Sequence, residues 1–247
     1  MQGTRISFWH IRRADTKGCT KSIIFKGWIG VLAFAVLLSL NAGALPAGVY
    51  RNHKNSFNKI ALTFDDGPHP KYTREILDIL DTYGIHATFF FVGQNVTAYP
   101  DMAREVALRG HEIGNHTYTH PCAIKKQPDD LRKELTACEA AIQKTTDTSP
   151  KLFRPPQGSW NTKVYELAQE KDYAVILWDI DTMDWAHTPA DQICRNVLEN
   201  IHSGDIILMH DFHSDGCTTA QALKTFLPQL LNQGYQFVTV SELIGSS

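Results

Sequence analysis

The sequence predicts a single α/β domain built on a parallel sheet of about seven strands. Three observations carry that prediction. Short apolar runs alternate with stretches of helical period. The runs lack the polar alternation of a one-sided sheet, so both faces of the sheet are covered. Polar residues cluster just after the ends of the runs, where parallel α/β folds gather their sites. About seven such units in about 200 residues either close into a small barrel or lie open as a doubly wound sheet. No Gly-rich phosphate loop follows the first run, which weighs against the open form.

The elements follow in order. Residues 59–64 are a buried strand, and 73–83 put Ile76, Leu77 and Leu80 on one helix face. Residues 86–92 are a strand, and 100–109 a helix closed by Gly110. Residues 111–114 are short and strand-like, and 129–145 form a helix with a charged outer face. Residues 152–153 are extended ahead of Pro155 and Pro156. Residues 161–171 are a helix capped by Asn161. Then come a strand at 173–178, a helix at 189–201, a strand at 205–209, a helix at 218–232 and a last strand at 236–240.

The first 44 residues differ from the rest. Arg5, Arg12, Arg13, Lys17, Lys21 and Lys26 are opposed only by Asp15, and residues 27–50 carry no charge. Ala42-Gly43-Ala44 has the small-x-small pattern of a signal-peptidase site. The reading is an exported protein: either cleavage follows Ala44, or residues 27–50 stay as a membrane anchor. Residues 45–58 read as a short linker and 59–247 as the globular domain. Without the leader the chain keeps 18 of its 24 Lys and Arg and 25 of its 26 Asp and Glu, a formal charge of −7, which argues against nucleic acid as a partner. Hydrophobic content of 43% with 20% charged residues fits a globular class. Cys122, Cys138, Cys194 and Cys217 outside the leader either form one or two disulfides or stay free.

Five short stretches carry chemistry. Asp65 and Asp66 sit side by side at a strand end before Gly67-Pro68. One can bind a metal while the other acts as a base; an Asx-type turn accounts for one of them but not for both. His116 and His120 have H-x-x-x-H spacing in a loop, and with Asp66 they make an imidazole-imidazole-carboxylate set. That set suits zinc-like metals and also non-haem iron. Cys122 is close enough to be a soft ligand, but packing or a disulfide is preferred. In 153–161, two prolines stiffen a loop whose first free N–H groups belong to Gln157 and Gly158, which suits an oxyanion. Arg154 there either pairs with a carboxylate or lies on the surface. Residues 178–185 hold three acids and two Trp, an acid able to orient a His and Trp able to wall a sugar-sized pocket. In 206–211, His210 emerges from a strand and Leu208 lines a cleft.

TFDDGP, H-x-x-x-H, R-P-P-x-G, D-x-x-D-W and L-x-H occur in that order over about 150 residues. The sequence resembles the polysaccharide deacetylase family, the NodB homology domain of carbohydrate esterase family four. The resemblance implies a distorted (β/α) barrel that removes acetyl groups from N-acetylated glycans such as peptidoglycan or chitin-like chains. It implies one divalent metal ion, usually zinc, with cobalt or nickel serving in some members, on Asp66, His116 and His120. It makes Asp65 the general base, oriented by Arg154. His210 becomes the general acid, tuned or shielded by Asp184 with Trp185. Leu208 lines the acetyl pocket, and the backbone N–H of Gln157 serves the oxyanion. Family members commonly have Tyr where Gln157 stands, so a stacking contact with the sugar is lost there. The rival expectations are an O-acetyl esterase acting on xylan-type glycans, a catalytically silent glycan-binding module, and an iron- and oxygen-dependent enzyme.

Overall fold

The computed structural model describes residues 45–54, 57–212 and 218–245. In chain order its elements are β1 (Val49–Tyr50), β2 (Lys59–Asp65), α1 (Tyr72–Tyr83), β3 (Thr88–Phe91), α2 (Gly93–Ala98), α3 (Pro100–Leu108), β4 (Glu112–Asn115), α4 (Pro128–Thr146), β5 (Leu152–Phe153), α5 (Thr162–Glu170), β6 (Ala174–Ile176), β7 (Ile180–Asp181), α6 (Ala190–Asn200), β8 (Ile206–His210), α7 (Thr218–Asn232), β9 (Gln236–Phe237) and α8 (Val240–Ile244).

Every ladder is parallel, and the order across the sheet is β1-β6-β5-β4-β3-β2-β8-β7, with β9 beside the start of β2. Strands β2 to β8 therefore follow one another in chain order round a seven-stranded distorted barrel. The distortion is a seam. β6 and β7 are consecutive in the chain, lack a helix between them and share no ladder. β1 covers part of this gap by pairing with β6, and Asn52 bridges to Asp205 and donates to the Asp179 carboxylate.

Side-chain parity places the site. In β2, Ile60, Leu62 and Phe64 face outward and pack with Ile76, Leu77 and Leu80 of α1 and Leu223, Phe226 and Leu227 of α7. Ala61 packs inside, with Phe90, Leu152, Ile176 and Ile206. Successive strand residues alternate, so Thr63 and Asp65 share the inner row of Ala61. The same parity puts Leu208 and His210 inside β8, while Ile207 and Met209 join the outer layer. Each fully buried Ile, Leu or Phe contributes about 1.5–3 kcal/mol. That outer layer therefore fixes which face of each strand looks into the barrel.

The helices fall where the periodicity puts them, with differences at the edges. α2 carries a Gly and a Thr and has no apolar stripe to announce it. Strand β6 ends at Ile176, short of the expected 178, although the Leu177 N–H still donates to Tyr50 O at 2.7 Å. Strand β9 ends at Phe237. Thr239 and Glu242 form a capping box that opens α8 at Val240, so the expected strand over 236–240 is cut short by a helix start. Within the stretch read as a linker, Val49 and Tyr50 belong to the sheet. Cys122, Cys138 and Cys194 are free thiols; Cys217 and the leader to residue 44 lie outside the described residues.

Asn161 caps α5 as expected, its side chain accepting from Val164 N at 3.1 Å. Asn161→Ala should lower stability by about 1 kcal/mol and Asn161→Ser by much less, read from urea unfolding midpoints. Equal midpoints for Asn161→Ala and the parent would contradict the cap.

Candidate active site

The inner row of β2 ends at Asp65, which is buried at the barrel mouth. The next residue leaves the strand: Asp66 has φ 75°, in the left-handed region that a non-glycine residue seldom occupies. This twist lets two neighbouring carboxylates enter one site from different directions. Several contacts hold the turn. Asn95 Nδ2 donates to Asp66 O at 2.7 Å, and Val92 N to Gly67 O at 3.0 Å. Gly67 is pressed against Asp211: a Cβ there would lie 2.2 Å from Asp211 Oδ2.

Asp66 meets two imidazoles. Its Oδ1 lies 3.1 Å from His120 Nε2 and 3.5 Å from His116 Nε2. The other side of the His116 ring is fixed, Nδ1 lying 2.7 Å from Arg154 O. A carbonyl can only accept, so Nδ1 carries a proton, and Nε2 is the ring atom turned toward Asp66. The loop from β4 is tied down at several points. Asn115 Oδ1 accepts from Thr117 N, and Glu134 Oε2 accepts from Tyr118 N and Thr119 N. Thr117 and His120 both have positive φ.

These three residues fit a divalent ion. Their ligand atoms all lie within 4.8 Å of one another, and among the described residues they form the one such cluster. A tetrahedral ion with bonds of about 2.0–2.2 Å separates its ligands by about 3.3–3.6 Å, close to the two spacings above. Asp66 Oδ1 is buried and makes no hydrogen bond despite its two nitrogen neighbours, which leaves an acceptor that a cation would satisfy. Burial opposes the charge on Asp66, but the neighbouring imidazoles of His116, His120 and His210 outweigh it and pull its pKa to about 2. Cys122 is no part of the cluster.

Arg154 is fully buried rather than on the surface. Its Nη1 donates to Asp65 Oδ1 at 2.7 Å and to Thr63 Oγ1 at 2.8 Å. Nε and Nη2 donate to the carbonyls of Ile176 and Leu177, at 3.3 and 3.1 Å. The guanidinium lies over the Phe90 ring, 4.2 Å from its centroid. Asp65 is thereby held beside the triad, its Oδ2 3.8 Å from His116 Nε2.

Across the cleft, His210 Nδ1 lies 2.7 Å from Asp184 Oδ1. Asp184 Oδ2 accepts from His210 N at 2.8 Å and from Thr219 Oγ1 at 2.6 Å. Burial alone would lower the His210 pKa. The hydrogen bond and charge of Asp184, with the charges of Asp65 and Asp66, instead raise it to about 9. At neutral pH His210 is therefore a charged acid. The cleft between these groups has a volume of about 410 Å³, and Gln157, Trp178, Asp181, Trp185 and Leu208 complete its lining. Trp185 stands half-exposed at the rim, its Nε1 3.3 Å from Asp181 Oδ1. Gln157 has φ 61°, and its N–H has no acceptor among the described residues. The Gly158 N–H, expected to be free, donates to Pro155 O at 2.9 Å, because the loop closes into a short turn.

All ten residues singled out from the sequence meet around this cleft or directly behind it. Sequence reasoning missed their supports. Thr63 had a signal, a lone polar residue in an apolar run. Thr219, Glu134 and Asn95 lie far along the chain and had none. Asp211 is fully buried, its Oδ2 accepting from Thr73 Oγ1 at 2.6 Å. Burial, with the charges of Asp66 and Asp65, pushes its pKa up to about 7 against the Thr73 hydrogen bond.

A buried carboxylate, an Asp-His-His triad and a charged imidazole around one cleft form the equipment of a metal-dependent hydrolase. The chain belongs to the polysaccharide deacetylase family, whose model matches residues 52–176. A peptidoglycan-N-acetylglucosamine deacetylase of Bacillus cereus is 42% identical over 192 residues, covering 77% of this chain and 90% of that protein. Among solved structures, the Bc1960 peptidoglycan N-acetylglucosamine deacetylase superposes with a TM-score of 0.77 at 34% identity, over 81% of this chain and 94% of that one. A pseudoenzyme of the same family from Bacillus anthracis superposes with 0.76 at 30% identity, over 82% and 70%.

Asp184→Asn removes the charge that holds the His210 proton. In the metal-free protein the His210 pKa should fall from about 9 toward 6.5, followed by NMR titration of the ring. An unmoved value would show that Asp184 does not set it.

Proposed function

We propose that the protein removes the N-acetyl group from N-acetylglucosamine units of a peptidoglycan-type glycan and releases acetate. Family membership and the B. cereus relative support the reaction class and the substrate. The observation that carries the mechanism is that Arg154 holds Asp65 beside the Asp66–His116–His120 triad while Asp65 stays out of it.

In this reading Asp66, His116 and His120 hold a divalent ion, and the two-imidazole, one-carboxylate set favours zinc. When bound, such an ion supplies Lewis acidity, making water more acidic and polarising the acetyl carbonyl. Asp65 takes the proton of the attacking water, and Arg154 keeps the carboxylate aimed at it. The Gln157 N–H donates to the developing oxyanion. His210 gives its proton to the leaving amine nitrogen, with Asp184 stabilising the imidazolium until then. Leu208 offers an apolar wall to the acetyl methyl, and Trp185 a face for the sugar. No covalent intermediate is required.

The likeness to a family pseudoenzyme gives weight to a second reading, a silent glycan-binding module. Against it stands the full set of groups in contact geometry: triad, paired Asp65 and paired His210. The basic leader with its small-x-small site supports export of the enzyme, toward a glycan outside the membrane.

The test is acetate release from a panel of N-acetylated and O-acetylated glycans by protein stripped of metal and then refilled. Stripping should abolish release from the N-acetylated members, and zinc should restore it. Asp65→Asn should keep the metal yet lose at least about 10²-fold in rate, whereas His116→Ala should lose metal and rate together. Near-parental turnover by Asp65→Asn would remove the base from this scheme, and activity confined to O-acetylated xylan would reassign the substrate.

A further inference from the structure

Resting on the deacetylase reading above, we propose that Arg51 recognises a carboxylate-bearing substituent on the sugar adjoining the one deacetylated. It would thereby set a preference for anionic over neutral N-acetylated glycans.

Arg51 follows β1 directly, at the seam of the barrel. The backbone is fixed on both sides of it. Tyr50 pairs with Ile176 and accepts from Leu177 N, and Asn52 bridges to Asp205. Arg51 lines a recess of about 140 Å³ together with Gln157, Gly158, Trp160, Leu177 and Trp178. Gln157 and Trp178 line the catalytic cleft as well, so the two spaces share a wall. The recess depends on glycine at 158, where φ is +62° and a Cβ would lie 2.6 Å from Trp178.

Among the described residues the charge of Arg51 has no partner. Of the seven arginines among the described residues, six pair with a carboxylate: Arg74, Arg104, Arg109, Arg132, Arg154 and Arg195. Arg51 is exposed and makes neither an ion pair nor a hydrogen bond among those residues. Pockets for drug-sized ligands run to about 300–1,000 Å³, so the recess suits a substituent of a few heavy atoms rather than a further sugar ring. Its contents match a small acid: a planar guanidinium that can grip a carboxylate with two parallel bonds, beside indole walls for an apolar branch. A plain N-acetylglucosamine polymer offers nothing to that guanidinium. A glycan in which alternate sugars carry a carboxylate on a short ether arm does.

The test uses three oligomers with the same N-acetylated backbone. One is neutral, one carries a lactyl ether with a free carboxylate on alternate sugars, and one carries the methyl ester of that group. Arg51→Gln should raise KM for the free carboxylate by about threefold to tenfold with kcat unchanged, and less so at high salt. KM for the neutral and esterified oligomers should not move, and Arg51→Lys should recover part of the loss. Equal changes for all three oligomers, or no change for any, would overturn the proposal while leaving the deacetylase reading intact. No acetate released by the parent protein from any of the three would overturn both.

Discussion

The structure depends on compensating one charge. Arg154 is a fully buried guanidinium, and an unpaired ion in that position would be prohibitively costly. Its neighbours are therefore dictated. Asp65 supplies the counter-charge, Thr63 and the carbonyls of Ile176 and Leu177 take the remaining donors, and the Phe90 ring lies beneath. These partners come from β2, β3 and the end of β6. The pair thus ties together the mouth of a barrel that is open at its seam. The same residue reaches the metal triad through its backbone, because Arg154 O fixes the tautomer of His116. Removing either charge would strand the other, at a cost of about 3–5 kcal/mol.

This arrangement explains how adjacent carboxylates take different parts. Strand parity keeps Asp65 in the inner row with Thr63, where Arg154 claims it. The left-handed turn at Asp66 carries the second carboxylate round to the imidazoles. The two acids meet different partners, Asp65 the Arg154 guanidinium and Asp66 the two imidazoles. His210 and Asp184 repeat the pattern on the far wall, where burial would discharge the imidazole and a carboxylate prevents it. Two of the site's buried charges are paired, Arg154 with Asp65 and His210 with Asp184, around a cleft that Asp66, His116 and His120 also line.

Much of this was legible in the chain. The inner row of β2 follows from the apolar run before Asp65, and the helix faces from residues such as Ile76 and Leu80. The five motifs fell at strand ends because a parallel sheet leaves its sites there. What was not legible came from long-range closure. The free N–H of Gln157 was foreseen, but the turn that uses up the Gly158 N–H depends on the fold of a loop. The burial of Arg154 was undecidable, since an arginine after a strand reads the same on the surface or in a barrel. Thr219 and Glu134 support the site from 35 and 16 residues away, with no local pattern to mark them. The seam, and with it the place of β1, follows from a connection between β6 and β7 too short to hold a helix. Periodicity gives no warning of that.

The central claim is that one ion sits on Asp66, His116 and His120 while Asp65 is kept off it by Arg154. Anomalous diffraction from cobalt-loaded crystals tests this most directly. A single peak should lie within bonding distance of Asp66 Oδ1, His116 Nε2 and His120 Nε2, with Asp65 still paired to Arg154. A peak coordinated by Asp65, or cobalt bound elsewhere with the triad empty, would contradict the account.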